Sequence, residues 1–269
     1  MKTIFTLPAV LFLISSLTFT SCQEDDNSDE IIIDPVFAPK LVKSIKWGNS
    51  GEETYTYNPD STVKATIAGG AGTTTMTREF KYTGKRLTQV IKSDMMEENY
   101  QYTPQGQVSS ITEKLVGTTY PGTRLEFVYN ADLSLKQMKY FEFDDLRSVL
   151  KSVTTYEYDG QKRAKKIETQ SETNPNSKVI FDIEGYSEEL FVNPWPLIDP
   201  WHLVAKDFQI YNFAFLNTLR HLPLKVTKTL MYNNTVQETE TETFTYEIKD
   251  YQLQSLKFNS NNFLVTYIY

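Results

Sequence analysis

Rings alternate with mostly polar residues in short stretches of this chain. An aromatic–X–Tyr triplet occurs seven times, at Tyr55/Tyr57, Phe80/Tyr82, Tyr100/Tyr102, Phe127/Tyr129, Tyr156/Tyr158, Phe244/Tyr246 and Tyr267/Tyr269. Residues two apart on a strand share a face, so each triplet sets two rings on one side and one residue on the other. The middle residues are Thr56, Lys81, Gln101, Val128, Glu157, Thr245 and Ile268, of which five are polar. One greasy face and one wet face is the signature of an antiparallel sheet with a single buried side. Turn-forming clusters follow the triplets: NPDS after Tyr57, TGK after Tyr82, TPQG after Tyr102, NAD after Tyr129, DGQ after Tyr158 and, less clearly, EIKD after Tyr246. Apolar pairs come next, at Leu87/Val90, Val108/Ile111, Leu135/Met138, Ala164/Ile167 and Leu253/Leu256, with a wider Val63/Ile67 pair in the first unit. Strand, turn and strand repeat as hairpins, and successive hairpins make a meander.

Fourteen rings at ~150–250 Å² each amount to ~2,000–3,500 Å². A soluble surface seldom exposes an apolar patch above a few hundred Å², so this face must be covered. Residues 186–223 break the pattern and are the candidate cover. Their first part, NPWPLIDPW, holds three prolines that bar it from a central strand. In the second part Asp199 suits a helix cap and Pro200 the first helical position. Val204, Phe208, Tyr211, Phe215, Leu219 and Leu222 then follow at helical spacing. A pair of short buried strands around 208–216 is the competing reading. The expected fold is all-β: a single curled antiparallel meander sheet of repeated β-hairpins, with one helical or irregular segment covering its aromatic face. Its ends would leave free strand edges, with the strand ending at Tyr269 as one of them.

The N-terminus adds an address. Lys2 precedes an apolar stretch from Ile4 to Phe19, broken by Pro8, Ser15 and Ser16, which is too short for a membrane span. The single cysteine of the chain, Cys22, sits at its end. The string LTFTSC resembles a bacterial lipobox, in which signal peptidase II cuts before a cysteine that carries lipid; Phe19 stands where that motif prefers Leu. An ordinary cleaved signal with an incidental cysteine is the alternative. The following QEDDNSDE resembles the acidic run behind the lipidated cysteine of surface-exposed Bacteroidota lipoproteins, against a plain tether facing the periplasm. Residues 22–39 hold six acids and no base; without them and Lys2, residues 40–269 carry a net charge of −2 out of −7 for the chain. The expected organisation is a lipoprotein signal peptide over 1–21, an acidic flexible tether over 22–40 and one β-repeat domain over 41–269. That domain divides into hairpin repeats (41–185), the covering segment (186–223) and C-terminal hairpins (224–269).

FKYTGKRLTQVI, YQYTPQGQVSSI and YEYDGQKRAKKI resemble degenerate YD repeats, the Tyr- and Asp-rich hairpin units of Rhs-type proteins. HLPLKVTK, TFTYEIKDYQLQSLKF and LVTYIY resemble the C-terminal part of a group of uncharacterised Bacteroidota lipoproteins with YD-like repeats. The resemblance spans roughly residues 41–185 and 220–269. It implies an all-β, surface-anchored outer-membrane protein, and it brings no activity and no catalytic residues with it.

Candidate chemistry is sparse. One cysteine and two histidines make a zinc site of His and Cys ligands a poor expectation, and a pI near 5.1 argues against nucleic acid as a partner. His202 and His221 lack neighbours at metal-ligand spacing. Asp144/Asp145 and Glu188/Glu189 are sequence neighbours, which face opposite ways on a strand and so make poor catalytic pairs. No GxSxG, Walker loop or GxGxxG occurs, and Gly69, Gly70 and Gly72 read as a flexible hairpin loop. Trp195 and Trp201, bracketed by prolines, would serve either as a platform for sugar rings or as anchors of the covering segment. The expectation is a non-enzymatic, lipid-anchored protein with a binding or structural role, held to the membrane through Cys22. It has no cofactor or metal, and its partner is a glycan or a protein. A carrier of a hydrophobic ligand and a glycan-active enzyme are the alternatives.

Overall fold

The computed structural model describes residues 40–70, 74–119, 121–144, 147–191 and 221–269. Sixteen strands run in chain order: β1 (Ser44–Trp47), β2 (Gly51–Tyr57), β3 (Val63–Gly69), β4 (Met76–Thr83), β5 (Arg86–Lys92), β6 (Met96–Tyr102), β7 (Val108–Leu115) and β8 (Pro121–Tyr129). They continue as β9 (Leu135–Asp144), β10 (Arg147–Tyr158), β11 (Ala164–Ser171), β12 (Ser177–Tyr186), β13 (Pro223–Tyr232), β14 (Thr235–Lys249), β15 (Gln252–Phe258) and β16 (Phe263–Ile268). Each pairs antiparallel with its sequence neighbours, and β1 pairs with β16, so the meander closes into a barrel.

Closure corrects the expected open, curled sheet. The last strand is no free edge: Ser44 faces Ile268 and Trp47 faces Val265 across the seam. The strand that closes the ring is SIKW, four residues without a ring triplet, and so without the pattern that marks the others. A closed sheet has no free edges to protect. No helix occurs among the described residues, and most of the proposed covering segment, 192–220, lies outside them.

The ring triplets orient as their alternation requires. Six of the seven leading rings are buried, Tyr55 is half-buried, every second tyrosine is half-buried, and all seven middle residues are exposed. The apolar pairs at spacing three also face inward, although three is an odd step. A β-bulge explains this. Register shifts follow Thr56, Lys81, Gln101, Val128, Glu157 and Glu247, each placing one extra residue in the next strand. Leu135 and Met138, Ala164 and Ile167, and Leu253 and Leu256 thereby share the core. The first unit follows the same rule, and this corrects the wider Val63/Ile67 pair. Thr66 is 1% exposed beside Val63, while Ile67 points outward at 48%.

The second tyrosine of each unit ties one hairpin to the one before. Tyr57 donates to the Val42 carbonyl at 2.6 Å, Tyr102 to Leu87 at 2.6 Å, Tyr129 to Val108 at 2.8 Å and Tyr158 to Leu135 at 2.7 Å. Tyr246 donates to Pro223 at 2.5 Å and Tyr269 to Leu253 at 2.9 Å, and Tyr82 is hydrogen-bonded to the Val63 backbone. An eighth member is Tyr186, which donates to the Ala164 carbonyl. Its unit escapes the triplet pattern because the inward residue before it is Ile183, three positions away. Gly185, with φ at +69°, absorbs the extra residue.

Eight units thus account for sixteen strands. The turns after Tyr57, Tyr102, Tyr129 and Tyr158 close alike, as in Asn58 N–H to the Thr62 carbonyl and Asn130 N–H to the Ser134 carbonyl, both 2.8 Å. After Tyr186 the same bond runs from Ser187 N–H to the Leu222 carbonyl at 2.8 Å. Residues 188–221 are thus inserted in sequence into one turn of the repeat, whose two ends meet at the end of the barrel where the tyrosines lie. The described chain also enters and leaves at that end, since Ser44 and Ile268 face each other there.

Candidate functional site

Along the inner wall, chemistry changes with height. Next to the turns lie the tyrosine ladder and the buried rings. One step further along, carboxylates take over. Tyr55 donates to Glu53 at 2.9 Å, Tyr100 to Glu98 at 2.6 Å and Tyr140 to Glu142 at 3.1 Å. In each pair the two side chains stand two residues apart and so share the inner face. These pairs mark the border between an aromatic layer and a charged one.

The charged layer is built from strand positions in register. Arg78 lies opposite Lys92, and Glu98 opposite Glu113. Lys92 Nζ is 2.5 Å from Glu98 and 2.6 Å from Glu113, with the lysine and Glu98 side chains each 3% exposed. Burial by itself would pull the Lys92 pKa down. The field of Glu98 and the hydrogen bonds to Glu113 and Glu98 outweigh it and hold the ammonium above its ordinary range. Lys151 pairs with Glu142 at 3.0 Å and Lys228 with Glu240 at 3.1 Å. Glu242 accepts bonds from the Ser260 amide and hydroxyl in the turn between β15 and β16. The buried carboxylates are therefore engaged by cations, tyrosines or turn donors. Glu98 and Glu113 share one ammonium, that of Lys92.

Burial also sets the tyrosines. Desolvation pushes Tyr57, Tyr82 and Tyr129 up to about 12. It raises Tyr55 well above the ordinary range, helped by the charge of Glu53. These phenols act as hydrogen-bond donors and keep their protons at neutral pH.

The outer wall is mostly polar and carries its own ion pairs. Lys114 pairs with Glu97 at 3.1 Å, Arg124 with Glu126 at 3.0 Å, Lys225 with Glu184 at 2.8 Å, and Glu168 with both Lys166 and Lys178 at 3.1 and 3.4 Å. Thr241, Thr243 and Thr245 of β14 are exposed outward, and the Thr227 and Thr241 hydroxyls meet at 3.2 Å. Outward apolar residues such as Val128, Leu264 and Ile67 are exposed within this polar surface.

A cleft of about 340 Å³ opens at the rim opposite the tyrosine turns. Trp47, Ala68, Met76, Ser50 and Thr74 are among its lining residues, while Glu52 stands opposite Lys46 in the ladder. Trp47 stands directly across from Gly51 in the ladder. A side chain at Gly51 would meet the Gly69 carbonyl at 2.7 Å, and one at Gly70 would meet the Ser50 carbonyl at 2.0 Å. The glycines let two loops approach closely, and they leave no side chain in the space beside the indole. The reading of Gly69 and Gly70 as a mere flexible loop missed this; only the pairing register, with Gly51 opposite Trp47, reveals it.

The residues singled out in the sequence fare differently. Cys22, Trp195, Trp201 and His202 lie outside the described residues. His221 Nδ1 bonds the Ser187 carbonyl at 2.7 Å, helping to close the turn around the insertion. Glu188 and Glu189 are exposed. Among the described residues, no three His, Cys, Asp or Glu side chains gather as metal ligands would.

No known protein family matches the chain, and no curated protein matches its sequence. Solved structures match its shape. A porin-like protein from Bacteroides uniformis superposes with a TM-score of 0.57 over 86% of this chain and 98% of its own, at 13% identity. A porin-like protein from Bacteroides vulgatus covers 86% and 99% at 13% identity, with a TM-score of 0.46. The toxin complex TcdB2-TccC3-TEV matches 78% of this chain and 9% of its own, with 10% identity and a TM-score of 0.35. What this chain shares with the Bacteroides uniformis protein is the barrel fold.

Proposed function

We propose that the chain is a lipid-anchored, surface-exposed outer-membrane protein whose barrel is a non-enzymatic binding or structural module. The polarity of the wall carries this reading. A barrel that crosses a membrane turns an apolar band ~25 Å tall outward to the lipid. Here that surface bears lysine, glutamate and threonine, with Phe141 and Phe143 lying under Arg124, and the ring triplets point inward. Such a barrel is solvated by water and needs a separate device to stay at a membrane. The LTFTSC string offers one in Cys22, whose acyl chains would each bury methylenes at ~0.8 kcal/mol apiece. The acidic run behind it is a leash of up to ~60 Å that favours the cell exterior. The non-enzymatic part of the reading rests on the inner carboxylates, which are held by Lys92, Tyr55, Tyr100 and Ser260.

Fractionation tests the anchor. The Cys22→Ser protein should leave the outer-membrane fraction, while the parent protein stays there and is digested by protease added to intact cells. A Cys22→Ser protein that remains in the outer membrane and is still labelled at the surface overturns the proposal.

A further inference from the structure

We infer that the overhanging edge of β14 is a docking site for an extended peptide segment with lysine or arginine at alternate positions, taken up as an added strand. The inference gives the binding reading above a partner class and rests on it for access to other chains. The ring is closed, but β14 outruns the strand beside it. β13 flanks β14 from Thr235 to Thr243, whereas β15 reaches only from Lys249 back to Phe244. The turn after β15 adds a bond from Asn259 N–H to the Thr243 carbonyl at 3.0 Å, and one from the Ser260 amide to the Glu242 carboxylate at 3.0 Å. From Glu242 back to Thr235, no strand lies on that side of β14 among the described residues. At ~3.3 Å per residue the overhang is about 25 Å long.

The ladder fixes where its backbone points. The Thr243 carbonyl faces the β15 side, so alternation turns Thr241 and Thr239 the same way, while Glu242, Glu240 and Glu238 face β13. Thr239 and Thr241 therefore each hold an N–H and a C=O toward the open side, the groups to which an extended peptide adds as a strand. Residues 238–241 are all exposed. No proline, glycine or lysine interrupts 235–242 to blunt the edge. Glutamates set its selectivity. Glu238 and Glu240 share one face and the two threonines the other. Glu240 holds Lys228 at 3.1 Å, whereas Glu238 makes no ion pair or side-chain hydrogen bond among the described residues. A second copy of this chain is the wrong occupant. In the antiparallel register that bonds both threonines, Glu240 would stand opposite its own counterpart, and like charges directly opposite destabilise a sheet. A cationic strand meets the same positions with opposite charge.

The test uses the full-length protein in zwitterionic detergent with three labelled seven-residue peptides. One alternates lysine and threonine, one alternates glutamate and threonine, and the third is the lysine–threonine peptide with every amide N-methylated. Fluorescence anisotropy reads binding, and amide hydrogen exchange reads the site. The first peptide should bind and slow exchange at Thr239 and Thr241, and the other two should not bind. Thr239→Pro removes an N–H that points away from β13, so the barrel keeps its ladder while peptide binding is lost. Glu238→Gln should weaken binding about threefold. If Thr239→Pro fails to fold, the N-methylated peptide and Glu238→Gln decide. No binding of the lysine–threonine peptide, equal binding of its N-methylated form, or unchanged binding in Glu238→Gln would overturn the inference. So would Thr239 and Thr241 amides already protected in the free protein, since the edge would then be occupied. None of these outcomes bears on the anchor, which is read by fractionation.

Discussion

The hydroxyl of Tyr158 donates to the carbonyl of Leu135 at 2.7 Å, joining residues 23 apart in sequence. The Leu135 side chain is wholly buried, and the same link recurs from Tyr57 to Val42 through Tyr269 to Leu253. Each link locks a hairpin to its predecessor on the inner wall. Tyr158→Phe keeps the ring and deprives the Leu135 carbonyl of this donor, which should cost about 1–2 kcal/mol in urea unfolding. Tyr232→Phe, at an exposed site on β13, should change nothing measurable.

The ladder also makes stability fall at high pH. Tyr57, Tyr82 and Tyr129 hold their protons to about 12 in the folded barrel, against ~10 in an unfolded chain. The folded state binds more protons in that window. The stabilisation is complete below ~10 and disappears as pH rises toward 12. Lys92 acts in the same direction, since its pKa is also raised. Spectrophotometric titration should therefore show tyrosinate absorbance appearing together with loss of the β-sheet circular-dichroism signal. Ionisation of the ladder well before the barrel melts would contradict this.

Lys92 lies between Glu98 and Glu113 inside the wall. Lys92→Met leaves two carboxylates facing each other with their cation removed, and should destabilise by about 3–5 kcal/mol. Adding Glu98→Gln and Glu113→Gln to that variant should recover most of the loss. Failure of the triple variant to recover would mean that the lysine acts through packing alone.

The ring periodicity was legible because a bulged hairpin repeats the same two inward rings. Alternation gave the strands, the turns and the buried face. Closure was not legible. Ser44–Trp47 carries no triplet, and nothing in four residues announces that they pair with the C-terminal strand. Tyr186 was hidden because Gly185 inserts a residue into its spacing. The charged inner layer was hidden because Lys92, Glu98 and Glu113 converge from three strands through register. For the same reason the cleft was invisible, since Trp47 and Gly51 become neighbours only across a pairing that sequence spacing does not encode.

Closure has its own consequence. Removing residues 40–47 deletes β1 and exposes the edges of β2 and β16. Unpaired edges recruit other chains. The shortened protein should run at a larger apparent size on size-exclusion chromatography than residues 40–269 do under the same conditions. A monomeric, cooperatively folded product lacking β1 would show that the seam is dispensable.

The orientation of the wall is the claim on which the rest stands, and vesicle flotation of residues 40–269 addresses it most directly. With the ring triplets inside and a mostly polar outer wall, the protein should purify without detergent and stay in the dense aqueous fraction when mixed with liposomes. If it floats with the vesicles, or stays in solution only in detergent, the rings face lipid and the barrel is a membrane-spanning one.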